Sequence, residues 1–105
     1  MTDAIPDPMN QRQHQRFSCD MPASLVTRCG DIGIEVKGRI VNYSEGGYGF
    51  VGDTTYTTLA GIQAPMTRPY RCHNNDLVDL VINDIKQPVQ VRWSDHTRVG
   101  LMVSD

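Results

Sequence analysis

Residues 32–41, IGIEVKGRIV, alternate apolar and polar in the manner of a half-buried β-strand. Ile32, Ile34, Val36 and Ile40 share one face, and Glu35, Lys37 and Arg39 take the other. Shorter runs of the same kind accompany it. ASLVTRC (23–29) starts after Pro22, and YGFV (48–51), LVDLVI (77–82), PVQVRW (88–93) and RVGLMV (98–103) follow. NDIK and SDHT read as the turns between the last three. The stretch 53–75, rich in Thr, Pro and Asn, reads as a long connection with at most a short strand around Tyr56–Leu59. No segment carries a convincing helical period. Six short strands separated by turn signals predict an all-β chain. Closing them into a small antiparallel barrel also removes the edges that so small a sheet would expose.

At 105 residues the chain is one domain, and its modest core argues against a deeply buried active site. Residues 1–11, with two prolines and two aspartates, read as a disordered arm. The domain proper then runs over 12–105, beginning with the polar, basic segment 12–16. The first ten residues, MTDAIPDPMN, have neither the basic nor the apolar region of a secretory signal, and no apolar run approaches the ~20 residues of a membrane span. A cytoplasmic protein without membrane insertion is expected. A net charge of −2, one Trp, two Phe and four Tyr argue against a single-stranded or duplex nucleic-acid binder, so neither DNA nor RNA is an expected partner. Cys19, Cys29 and Cys72 are odd in number and read as reduced thiols. With His14, His73 and His96 they do not supply the spacing of a zinc site, so no metal is expected. Cys72-His73 invites a nucleophile reading, but no oxyanion or third-partner signal accompanies it, and the chain is not read as an enzyme.

Two motifs remain. Arg12-x-x-x-Arg16 precedes the first strand, and Asn42-x-Ser44-x-x-Gly47 lies in VNYSEGGYGF, where the second strand is expected to give way to a turn. Arginine forks suit phosphate or the O6/N7 edge of guanine, and their planes stack on purines. Asn42 and Ser44 offer short polar groups. Gly47 is expected to adopt a positive φ and keep a Cβ away from a ligand.

Together these motifs resemble the PilZ domain, a bacterial receptor for cyclic di-GMP. The closing segment QVRWSDHTRVGLMV also resembles that family's last hairpin, and the likeness covers about residues 11–104. The resemblance implies a six-stranded barrel whose arginine segment folds over cyclic di-GMP. Arg12 and Arg16 would clamp the ligand, while Asn42, Ser44 and Gly47 would form the facing wall. Trp93 would lie beside the ligand, although its phase with Val89 and Val91 fits core or rim packing equally well. Arg98 could add positive field near the site, whereas Arg92 and Arg39 read as surface residues. Gln11 stands where many members carry another arginine, which weighs against a two-ligand mode. The helix that often follows the last strand is not expected here. No resident cofactor is expected. The implied partners are cyclic di-GMP and an unidentified downstream protein that senses ordering of the arm. The protein is expected to be a monomer without ligand, with a ligand-linked dimer as the other possibility. The alternative within the family is an interaction module that does not bind the nucleotide.

Overall fold

The computed structural model describes residues 16–67, 72–95 and 97–103, all but the turns and connections in β-strands. The strands are β1 (Phe17–Cys29), β2 (Ile32–Ser44), β3 (Gly47–Leu59), β4 (Ile62–Pro65), β5 (Leu77–Ile82), β6 (Ile85–Asp95) and β7 (Arg98–Val103). Every pairing is antiparallel. Their order is β2-β1-β5-β6-β7-β3, and β2 also pairs with β3, so six strands close into a barrel. β4 lies outside that ring and extends the far end of β3. The arm 1–11, Gln11, Arg12 and His14 lie outside the described residues, as does His96.

The barrel consists of two meanders. β1 to β4 form the first and β5 to β7 the second, each strand pairing with its successor in sequence. They meet at two seams. One joins Ser24, Leu25 and Val26 to Val81, Leu80 and Asp79, and the other joins residues 47–51 to 98–102. Each ring strand sends alternate residues inward: Ala23 and Leu25, Ile34, Val36 and Ile40, Phe50, Val78 and Leu80, Val89 and Val91, Val99 and Leu101. Phe50, Leu25, Ile40, Leu80, Val89 and Val91 are fully buried.

Two expectations are corrected. The short strand around Tyr56–Leu59 is present, but it is not isolated in a connection: residues 53–55 join it to YGFV as one strand, β3, because Thr and Tyr are strong strand formers. Thr55 there is buried in the core, and β4 extends the first meander to Pro65. Likewise β2 does not stop at Val41. It continues to Ser44, which pairs with Gly47, leaving Glu45-Gly46 as the turn. The turn at NDIK forms as expected: Asn83 and Asp84 both take positive φ, 52° and 65°, as a two-residue hairpin loop requires.

Candidate functional site

The barrel's ladders carry several register shifts, and two of them, on β2 and β6, frame the site. On β2, Ile40 pairs with Phe50 but Asn42 pairs with Gly49, so Val41 is an extra residue. On β6, Val91 pairs with Leu101 but Trp93 pairs with Gly100, so Arg92 is extra. A residue two places beyond an inward-facing one would normally face inward too. Each bulge reverses that phase and turns the next side chain outward. Trp93 therefore leaves the row of Val89 and Val91, and its side chain is 46% exposed.

The register then sets five residues in one row across five strands: Trp93, Gly100, Gly49, Asn42 and Ser18. The two central glycines are covered by their neighbours' side chains. A Cβ on Gly100 would strike the Nε1, Cε2 and Cδ1 atoms of Trp93, the farthest of them at 2.7 Å. Three adjacent ring atoms within reach of one point mean that the indole lies face-down on Gly100. A Cβ on Gly49 would meet Nδ2, Oδ1 and Cγ of Asn42 at 2.6, 2.6 and 2.8 Å, so the amide lies across Gly49 in the same way. The outer face of the indole is left as a flat surface on which a ring can stack.

Arg16, at the entrance to β1, donates from Nη1 to Asn42 Oδ1 at 2.5 Å. Arg98, two residues before Gly100 on β7, belongs to the same outer face. These groups line an open depression of about 220 Å³ formed by Arg16, Val41, Asn42, Gly49, Trp93 and Arg98, with Phe50 and Val99 beneath. No described Asp or Glu lines it. The depression is thus locally cationic on a chain of net charge −2.

Backbone bonds hold both walls. Gly52 N–H donates to Thr97 C=O at 2.6 Å, fastening the β6–β7 turn onto β3. Asn75 N–H donates to Val91 C=O at 2.6 Å, and Val91 N–H donates to Asp76 C=O at 2.8 Å. Asn75 and Asp76 therefore pin β6 immediately before its bulge. Ser94 Oγ adds a bond to Cys72 C=O at 2.8 Å.

Of the residues expected from sequence, Arg16, Asn42 and Trp93 come together here, and Arg12 lies outside the described residues. Ser44 and Gly47 pair with each other at the β2–β3 turn and do not line the depression. The expected role of the Gly47 backbone is corrected. Its φ is not in the left-handed range, and a Cβ there would collide with the main-chain carbonyl of Leu101. Gly47 is required by the close approach of β3 to β7. Arg39 is ion-paired with Asp20 at 3.3 Å, and Arg92 donates to Met102 Sδ at 3.2 Å. Gly49 and Gly100 were missed as site residues. Their signal was a lone glycine inside a strand pattern, in YGFV and RVGLMV, which marks close approach.

Cys72 is 5% exposed, and burial, aided by the nearby Asp76 carboxylate, raises its thiol pKa to about 11. It is a protonated thiol at neutral pH, the wrong state for a nucleophile. Neither a protein-family model nor a curated protein matches the chain.

Proposed function

We propose that this protein is a PilZ-like receptor that binds cyclic di-GMP in the depression between the two bulges. The observation that carries the reading is the bond from Arg16 to Asn42, which links the arginine motif to the Asn-x-Ser-x-x-Gly strand beside an outward-facing tryptophan. An arginine fork, a neutral amide and an open indole face are the groups that a phosphodiester carrying a guanine would use. Arg12 joins Arg16 on the ligand, and Ser44 and Gly47 shape the adjoining turn. Ligand binding orders residues 1–16, and a downstream protein in the cytoplasm recognises the ordered form. Arg16 would exchange its bond to Asn42 for the anionic ligand, so the ligand's preference for the ordered state sets the size of the signal.

Calorimetric titration with cyclic di-GMP tests this, with GTP and cyclic GMP as controls. Saturable binding that Arg16→Ala abolishes is expected, and the stoichiometry reports the effect of Gln11. Absence of both heat and any melting shift at high ligand would overturn the receptor reading in favour of an interaction module.

A further inference from the structure

Arg98 carries a role that the sequence motifs do not assign. Arg16 approaches the depression from the β2 side of β3, bonded to Asn42. Arg98 approaches from β7, on the other side of β3. Both line the same depression, and Gly49, beneath the Asn42 amide, lies between them on β3. Two other described arginines engage partners of their own: Arg39 the Asp20 carboxylate, and Arg92 the Met102 sulfur. Asp95 is the hairpin partner of Arg98 and the nearest carboxylate in its row, but it does not line the depression. Two guanidinium groups in a depression lined by no described carboxylate, set in a chain of 12 acidic and 10 basic residues, make a local field opposite in sign to that of the whole protein.

We infer that Arg98 is the second cation of an anion clamp completed by Arg16, and that this pair selects ligands bearing two phosphate charges beside a flat ring. The inference deepens the cyclic di-GMP reading and rests on the same depression. Arg98 is preset by the β6–β7 turn, which the Gly52–Thr97 bond fastens to β3. Arg16 is held just before β1 by its bond to Asn42. The clamp thus has two jaws, one from each meander. A singly charged ligand such as cyclic GMP engages only one of them.

Trp93 is the sole tryptophan, so its fluorescence reports occupancy whatever the ligand. The full-length chain is titrated with cyclic di-GMP, cyclic GMP and inorganic pyrophosphate. The variants are Arg98→Ala, Arg98→Lys, Arg16→Ala and, as an exposed control outside the depression, Arg92→Ala. Loss of one charge-assisted contact predicts binding weaker by about 10- to 100-fold in Arg98→Ala, with Arg92→Ala within about 2-fold of wild type. The slope of log affinity against log salt should fall by about one in Arg98→Ala. Arg98→Lys should recover the slope but only part of the affinity, since lysine keeps the charge and loses the fork. Wild-type affinity and salt slope in Arg98→Ala, with Arg16→Ala inactive, would overturn the clamp and leave the receptor reading intact. Arg98-dependent quenching by pyrophosphate without any response to cyclic di-GMP would support the clamp and overturn the cyclic di-GMP reading. No response of wild type to either would overturn both.

Discussion

The three long strands β1, β2 and β3 share one register but end differently. At one end, Val41 and the Cys19–Asp20 pair break the β1–β2 and β2–β3 ladders, and the depression forms there. Towards the other end, once past the extra residue Asp53 opposite Lys37 and Gly38, the ladders run regularly to the hairpin tips, Cys29 pairing with Ile32 and Leu59 with Ile62. That tip has more exposed apolar surface, with Ile62 at 73%, and its polar side chains, such as Gln63 and Glu35, bond to each other. Regular pairing keeps side chains in their inherited phase, so an apolar row simply continues outward from the core. Only a change of phase brings a polar residue and an aromatic one onto the same outer row. In this barrel the irregular end builds a site and the regular end extends a wall.

The sharpest way to break the contrast is to delete Val41. Pairing with β3 would become regular, and Asn42 would follow Ile40 inward. A buried amide without a designed partner costs about 1–3 kcal/mol, and cyclic di-GMP binding should disappear with it. Chemical denaturation beside calorimetry checks both effects.

The glycines offer a second, smaller test. Gly47→Ala meets the rigid Leu101 carbonyl and should destabilise by about 1–3 kcal/mol. Gly100→Ala meets a side chain that can swing away, so its melting point should fall less while Trp93 leaves its platform. A blue- or red-shifted Trp93 emission with weakened ligand binding is expected for Gly100→Ala. If Gly47→Ala were as stable as wild type, the backbone-approach argument would fail.

Cys72 provides a pH test away from the site. Its folded pKa of about 11 exceeds the ordinary value of 9.0. The unfolded chain therefore loses this proton first, and the stabilisation, present below pH 9, is lost as pH rises towards 11. Cys72→Ala should show a flatter stability profile across that window than wild type. Parallel profiles would assign the alkaline loss to other groups.

The smallest effect is expected at the regular end. Ile62→Ser should change stability by within about 0.5 kcal/mol and leave ligand affinity unchanged, since the side chain is exposed and remote from the bulges. A large loss of binding would show that the two ends communicate.

Much of the barrel was legible because inward residues repeat at every second position, as Ile34 and Val36 or Val89 and Val91 do. The Asn83-Asp84 turn was legible for a different reason, since local turn chemistry suffices to place it. The bulges were not legible. Val41 and Arg92 are ordinary strand residues, and nothing in a single chain marks them as extra until their partners across the ladder are known. Trp93 consequently read as equally fit for core or site. The continuity of residues 53–55 with the strand at Tyr56–Leu59 is not legible either, because threonine suits both loops and strands, and pairing with β2 decides between them. Arg16 and Asn42 were identified by motif, while Gly100 and the placement of Arg98 needed the register.

The two-meander construction has a consequence for when the site exists. Arg16, Asn42 and Gly49 come from the first meander; Trp93, Arg98 and Gly100 come from the second. Either half, folded but undocked, contains half a site and should be blind to ligand. During folding, ligand recognition would then emerge only when the 47–51 and 98–102 segments zip together. A bound ligand bridging that seam would act as a late-forming strut, slowing separation of the halves more than it speeds their first encounter.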